Sequence, residues 1–124
     1  MALHHTTPLI QSTALEALAG VPVWLKLESA QPSASFKLRG MGLAAERAVA
    51  RGAARLVSSS GGNAGYAVAW AGQALGVPVT VVVPAPTGAR MRRLIAATGA
   101  EVLVAGDVWD EAHAAAAALA EDTA

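Results

Sequence analysis

One lysine interrupts a stretch of small residues at positions 29–40 (SAQPSASFKLRG), where Lys37 lies between Phe36 and Leu38. The chain contains only one other lysine, Lys26. An apolar setting favours the neutral form of an amine, and a neutral lysine is a nucleophile that can form a Schiff base with a carbonyl carbon. A lone lysine is more often a solvated surface residue. The residue type alone therefore leaves both interpretations open.

A second candidate site is the glycine-rich stretch 58–67 (SSSGGNAGYA). Glycines let backbone N–H groups approach an anion closely, and the N-terminus of a following helix adds positive potential. Ser59, Ser60 and Asn63 add side-chain hydrogen-bond donors. The pattern predicts a cradle for a small carboxylate or phosphate. A flexible strand-to-helix turn with Asn63 as N-cap is equally compatible with it.

The glycine spacing in this loop excludes two common nucleotide sites. A dinucleotide loop needs glycines at its first, third and sixth positions, whereas Gly61, Gly62 and Gly65 occupy the first, second and fifth. The phosphate loop of nucleoside triphosphatases ends in Gly-Lys followed by Ser or Thr, and no lysine follows here. The loop is thus predicted to hold an anion smaller than a nucleotide.

The elements around this loop predict an α/β fold. From Arg55 onward, short β-rich runs alternate with alanine-rich helical stretches, a pattern typical of βαβ units on a three-layer open parallel sheet. Ligands of such sheets bind beyond the carboxyl ends of the strands, where the 58–67 loop would lie. Strands are predicted at 55–58, 78–83 and 101–104, and helices at 64–75, 89–98 and 108–121, the last with Asp107 as N-cap.

Lys37 is predicted to lie where an irregular segment meets a helix. Residues 23–28 (VWLKLE) alternate in hydrophobicity and predict a strand, and residues 38–51 predict a helix that stops at Gly52. Arg39 is interpreted as an ion-pair residue, although the sequence does not identify its acid. The arginines at 90, 92 and 93 are interpreted as a solvated helix face.

Composition limits the class of protein. The chain has 124 residues, enough for one domain, with 54% apolar and 15% charged residues and zero formal net charge. Neither nucleic acid nor a membrane is predicted as a partner. No cysteine and no secretory signal are present, which predicts a cytoplasmic protein without disulfides. His4 and His5 are interpreted as a solvated end, so no metal is predicted.

Taken together, the motifs resemble a known family. SASFKLRG, followed about twenty residues later by SSGGNAG and preceded by TTPLIQS, is similar to the N-terminal part of the pyridoxal-phosphate enzymes of fold type II. Within that group the sequence most resembles the catabolic L-serine/L-threonine dehydratases, over essentially the whole chain. The resemblance implies a tryptophan synthase β-like fold and pyridoxal 5′-phosphate as cofactor.

The resemblance also implies roles for particular residues. Lys37 would hold the cofactor as a Schiff base, and Phe36 would pack against its pyridine ring. Asn63 would hydrogen-bond the ring hydroxyl oxygen. The substrate carboxylate would be bound by four residues of the loop: Ser60, Gly61, Asn63 and Ala64.

The implied reaction is α,β-elimination from an amino acid. Lys37 would remove the Cα proton as general base, and loss of the β-hydroxyl would convert L-serine to pyruvate, or L-threonine to 2-oxobutanoate, with release of ammonia. Related synthases and racemases tend to carry Ser-Gly-Asn-Thr-Gly or Ser-Gly-Asn-His-Gly in this loop. β-Replacement and racemisation of an amino acid therefore remain alternatives.

Family members are more than twice as long as this chain, and their glycine-rich loop for the cofactor phosphate comes from later sequence. A third possibility is therefore a non-catalytic fragment, and the chain is expected to be the front portion of a longer protein. The resemblance predicts that residues 1–40 begin a large cofactor domain and residues 41–124 form a small subdomain. It implies a homodimer for the full-length form.

Overall fold

A computed structural model describes residues 2–122 of the chain. Its first part is a two-stranded antiparallel ribbon of β1 (Leu9–Gln11) and β2 (Trp24–Lys26), joined by helix α1 (Thr13–Ala19). The α1 helix begins at Ser12, whose hydroxyl accepts the N–H of Leu15 at 3.3 Å. It ends at Gly20, which adopts the left-handed conformation with φ of 70°. A short 3-10 helix (Glu28–Ala30) follows the ribbon.

The second part is an α/β unit that begins with helix α2 (Lys37–Ala50). The elements that follow are β3 (Leu56–Ser58), α3 (Asn63–Leu75), β4 (Val79–Val83), α4 (Ala89–Ala96), β5 (Glu101–Val104) and α5 (Trp109–Glu121). Within the described residues, the three strands are parallel and lie in the order β3-β4-β5, with Val57 opposite Thr80 and Val82 opposite Leu103.

The sheet is the middle of three layers. Alternate residues of the central strand β4 face opposite sides, and Val79, Val81 and Val83 pack in a cluster with residues of α3 and α4. Val82 points the other way and packs against Ala112 and Ala116 of α5. Because both faces of β4 are covered, all five of its residues are buried.

Helix α3 approaches its neighbours closely because two of its residues lack side chains. A Cβ added to Gly65 would lie 1.8 Å from the carbonyl oxygen of Ser60, and one added to Gly72 would lie 2.0 Å from a methyl carbon of Val79. Helix α2 also packs against α3. The α/β unit is therefore built on a close approach of α3 to β4 and to the turn before α3.

Most of the elements predicted from sequence are confirmed. The three parallel strands and four helices lie within two residues of their predicted bounds, and the three-layer α/β class is confirmed. The proposed N-caps are wrong, because Gly62 precedes α3, with Asn63 as its first residue, and Val108 precedes α5. Asp107 instead donates its N–H to the carboxylate of Glu111 at 2.6 Å.

Helix α2 is continuous across residue 40, where the sequence predicted a boundary between two domains. That division stays a prediction. Among residues 2–122, no helix combines the length and the apolar character needed to span a bilayer.

Candidate active site

Lys37 is the first residue of helix α2, at the junction that the sequence predicted. The lysine is half-buried, and its Nζ lies 5.1 Å from the centroid of the Phe36 ring. Phe36 itself is 58% exposed. An amine at a helix start beside an accessible aromatic face suits a flat, ring-shaped ligand.

A carboxylate fixes the first turn of α2. Glu28, in the 3-10 helix, accepts two hydrogen bonds of 2.8 Å from the Nε and Nη2 atoms of Arg39, which lies two residues after Lys37. Glu28 also accepts from the hydroxyl of Thr7 at 2.6 Å and from the amide of Gln31 at 3.2 Å. Glu28 is therefore the acid that the sequence did not identify for Arg39.

These contacts favour the charged form of Glu28. The hydrogen bonds from Arg39, and after them those from Thr7 and Gln31, lower the pKa of Glu28 to about 2, against an opposing effect of partial desolvation. The same carboxylate raises the pKa of Arg39. The pair is thus ionised throughout the neutral range, and its bidentate geometry fixes the direction of Arg39.

The network extends into the ribbon at the start of the chain. Gln31 exchanges two hydrogen bonds of 2.9 Å with the backbone of His5. Lys26 donates from its Nζ to the carbonyl oxygen of Thr7 at 2.6 Å. The amine of Lys26 is therefore engaged in the fold. That leaves Lys37 as the better candidate for covalent chemistry.

The loop that leads to Lys37 is strained and has unsatisfied polar groups. Ala34 has φ of 55°, the only positive φ of a non-glycine residue within 2–122. The hydroxyl oxygens of Ser33 and Ser35 are buried, and neither has a hydrogen-bond partner among the described residues. Strained backbone and unpaired buried polar atoms are more frequent at functional sites than elsewhere.

The predicted anion cradle lies between β3 and α3. Ser60 accepts the N–H of Gly62 on its hydroxyl at 3.3 Å, which tightens the turn. Gly62, the residue before the 13-residue helix α3, provides no side chain to cap it. Asn63 is exposed and Ala64 is half-buried. The four predicted carboxylate ligands thus share one turn, with the positive end of a helix dipole behind them.

Thr87, a residue that the sequence did not single out, packs over this turn. A Cβ added to Gly61 would lie 2.6 Å from the Thr87 hydroxyl oxygen. The backbone carbonyl of Thr87 accepts from Nε of Arg92 at 2.8 Å, and its N–H donates to Pro84 at 3.0 Å. Arg92 therefore holds the loop before α4, in addition to lying on the helix face that the sequence predicted for it.

Helix α2 and the anion loop meet along one groove. A cavity of about 370 Å³ is lined by Met41, one helical turn after Lys37, and by Ser58 and Ser59, the first two residues of the loop. Only five residues connect α2 to β3, so the C-terminus of α2 lies beside the start of β3. Met41 is the first residue of α2 that lines this cavity, and Lys37 is not among its lining residues.

Comparison with known proteins gives the same family that the motifs suggested. The family described as pyridoxal-phosphate dependent enzyme matches residues 2–124. A protein of Rattus norvegicus named serine dehydratase-like is 49% identical over 117 residues. The alignment covers 94% of this chain and 36% of the rat protein. L-serine dehydratase/L-threonine deaminase of Homo sapiens is 48% identical, with 97% of this chain and 37% of the human protein covered.

Solved structures agree on the fold. A fungal L-serine ammonia-lyase from Rhizomucor miehei superposes with a TM-score of 0.89 at 36% identity and covers 96% of this chain. Maize serine racemase superposes with a TM-score of 0.87 at 25% identity and covers 97%. The chain spans about 36–38% of the length of these relatives.

The residues present fit the cofactor of this family. Pyridoxal phosphate carries an aldehyde, which suits the half-buried amine of Lys37, and a flat ring, which suits the accessible face of Phe36. The unpartnered hydroxyls of Ser33 and Ser35 leave polar groups free near the lysine. With a family match over residues 2–124 and site residues that suit its cofactor, this chain belongs to the pyridoxal-phosphate-dependent enzymes.

Proposed function

We propose that the chain carries the lysine and the carboxylate-binding loop of a dehydratase that converts L-serine or L-threonine to a 2-oxo acid and ammonia. The observation that carries the proposal is the position of Lys37 at the start of α2, two residues before the Arg39 that Glu28 holds, on a helix that shares a groove with Ser58 and Ser59 of the loop. The names of the rat, human and fungal relatives support this choice of reaction.

Lys37 has two tasks in this proposal. Its Nζ would hold the cofactor through the aldehyde carbon, and its free amine would take the proton from the substrate Cα. When bound, pyridoxal phosphate would supply an electron sink for the pair left by the broken Cα–H bond. Loss of the β-hydroxyl as water, followed by hydrolysis of the C–N bond, would give pyruvate from L-serine or 2-oxobutanoate from L-threonine, each with ammonia.

The loop orients the substrate. The hydroxyl of Ser60 and the N–H groups of Gly61 and Ala64 are donors for the substrate carboxylate, with Asn63 between them for both the carboxylate and the cofactor ring oxygen. Fixing the carboxylate aims the Cα–H bond at the cofactor face. In model systems such orientation contributes up to roughly 7–11 kcal/mol. Phe36 supplies an apolar surface for the ring.

Racemisation is a second candidate, since maize serine racemase shares the fold at 25% identity. A chain that holds cofactor without turnover is a third, since the chain spans only about 36–38% of the length of the relatives that it matches. These alternatives differ in product. The cytoplasmic compartment stays a prediction from the sequence, and the homodimer stays a prediction from the resemblance.

Borohydride trapping tests the attachment point. The chain is incubated with pyridoxal phosphate, reduced, digested and mapped by mass spectrometry. We expect the label on the peptide that contains Lys37, its loss in Lys37→Arg, and its retention in the matched control Lys26→Arg. A label on Lys26, or on the α-amine alone, would contradict the proposal.

Product analysis tests the reaction. With L-serine, the dehydratase produces pyruvate and ammonia in equal amounts, whereas a racemase produces D-serine. Label on Lys37 without either product would show a chain that binds the cofactor but does not complete the reaction.

A further inference from the structure

A hydrogen bond reaches the anion loop from the opposite layer of the fold. The hydroxyl of Ser59 lies 3.0 Å from Nδ1 of His113, on helix α5. The His113 ring stacks on Trp109, one helical turn earlier, with a centroid distance of 4.7 Å and an angle of 14° between the planes. The stack restricts the rotamers of the imidazole, so less conformational freedom is lost when it bonds Ser59.

The direction of Ser59 follows from strand alternation. Val57, two residues earlier, packs on the α5 side with Ala112 and Ala116. Ser59 continues the same side of the strand and therefore meets α5. The next residue, Ser60, is the first of the proposed carboxylate ligands.

The rest of the loop is held from the α3 and α4 side. Gly61 lies under the side chain of Thr87, and the carbonyl of Ser60 lies against Gly65 of α3. His113 therefore adds support from the other face of the sheet, at the residue where the loop leaves β3. With both sides held, the backbone donors of the loop have less freedom to turn away from a ligand.

We propose that His113 is a positioning residue for the carboxylate-binding loop, and that it acts through Ser59. The inference rests on the proposed function, since it assumes that the loop binds a substrate carboxylate. Loss of the bond would loosen Ser60 and Gly61 and weaken L-serine binding, while the attachment of cofactor to Lys37 would be unchanged. One hydrogen bond of ordinary net strength corresponds to about a three- to tenfold change in an equilibrium constant.

Four variants separate the hydrogen bond from the packing. His113→Phe keeps an aromatic ring for Trp109 and removes the nitrogen. His113→Asn places a polar amide atom near the position of Nδ1, so this conservative variant is expected to restore the hydrogen bond to Ser59. Ser59→Ala removes the hydroxyl, alone and combined with His113→Phe. The matched control is His4→Phe, the same substitution outside the contact.

Two measurements on the 124-residue chain test the proposal. The first is the exchange rate of the Gly61 and Gly62 amide protons with water, measured by NMR without cofactor. The second is the dissociation constant of L-serine, from amide shifts with pyridoxal phosphate present. We expect both to rise about three- to tenfold in His113→Phe and in Ser59→Ala, with no further rise in the double variant and recovery in His113→Asn.

The proposal is overturned if the exchange rates stay at the wild-type value, if the two single effects add in the double variant, or if L-serine binding does not follow the exchange rates. Absence of L-serine binding to the wild-type chain also overturns it. Failure of the proposed function is recognised separately, because borohydride labelling of Lys37 does not involve His113. If Lys37 is not labelled but the effects of the Ser59 and His113 variants are still not additive, the result counts against the proposed dehydratase function and not against the positioning role of His113.

Discussion

The two parts of the molecule bury different kinds of side chain. In the N-terminal segment (residues 2–36) all four buried residues are polar: Thr7, Gln31, Ser33 and Ser35. In the α/β unit (residues 37–122), called the sheet unit below, every buried residue is apolar except Thr80 and Thr98. The N-terminal segment is therefore held by hydrogen bonds and charge, and the sheet unit by apolar packing.

The exposed residues show the same contrast. Leu18 is 85% exposed and Trp24 is 55% exposed, and both belong to the N-terminal segment. Val81 and Ile95, in the sheet unit, are fully buried. Apolar burial contributes less to the N-terminal segment, because none of its large apolar side chains is fully buried and seven of them are exposed. Lys37 lies where the two parts join, so its placement depends on both.

The strongest test of the sheet unit is Gly65→Ala. The new Cβ would lie 1.8 Å from a backbone oxygen, which cannot move without shifting the β3–α3 turn. We expect a loss of more than about 3 kcal/mol in the free energy of unfolding, measured by urea denaturation. Gly40→Ala is the control, since a Cβ there has open space in helix α2, and it is expected to stabilise by about 0.5–1 kcal/mol. If Gly65→Ala and Gly40→Ala changed the free energy of unfolding equally, the close approach of α3 to the β3–α3 turn would be refuted.

A pair of truncations compares the two parts directly. Val81→Ala removes fully buried carbon atoms and is expected to cost about 2 kcal/mol. Leu18→Ala removes more carbon atoms, yet from an exposed side chain, and is expected to change stability by less than about 0.5 kcal/mol. Thermal or urea unfolding of both variants measures the difference. A large cost at Leu18 would show that the N-terminal segment has an apolar core after all.

Acid should weaken the N-terminal segment through Glu28. The pKa of Glu28 in the folded chain, about 2, lies below its ordinary value of 4.5. The carboxylate therefore contributes stability above pH 4.5, and this contribution is lost progressively as the pH falls from 4.5 toward 2. We expect the free energy of unfolding to fall more steeply over this range in the wild type than in Glu28→Gln.

Glu46→Gln serves as the control for this pH dependence, because it removes a carboxylate of α2 outside the network. It is expected to keep the steep fall of the wild type. Identical pH profiles for the wild type and Glu28→Gln would show that the ion pair with Arg39 does not stabilise the fold.

A small gain of stability is expected at Ala34. Its φ of 55° costs alanine about 1–2 kcal/mol relative to glycine, and the greater freedom of glycine in the unfolded chain offsets part of that. Ala34→Gly is therefore expected to stabilise the chain by about 1 kcal/mol in urea denaturation. Ala30→Gly, in the 3-10 helix, should destabilise it slightly. If Ala34→Gly and Ala30→Gly both stabilised the chain, backbone strain at Ala34 would not be the cause of the stabilisation.

The sheet unit could be predicted from the sequence almost completely. Its valine runs and alanine-rich helices are long enough to show their periodicity, and glycines mark their ends. The strand β1 and helix α1 were missed because they are short, although Ser12 and Gly20 bracket α1 with an N-cap and a C-cap. A search for capping residues would have found α1.

The candidate site could be predicted only in part. Lys37 and the loop from Ser60 to Ala64 came from motifs, and their roles stay predictions. Glu28, Thr87 and His113 were not found, because each contacts a residue far away in sequence: Glu28 meets Arg39 eleven positions on, and His113 meets Ser59 across 54. No local pattern encodes such pairs.

The sequence by itself determined the elements of the sheet unit, the placement of Lys37 at a helix start and the family, because periodicity, capping and motifs act over a few neighbouring residues. Only the tertiary structure decided which charges and hydroxyls support them. The pairing of Glu28 with Arg39, and of His113 with Ser59, arises when separate elements pack together and bring distant side chains within hydrogen-bond distance.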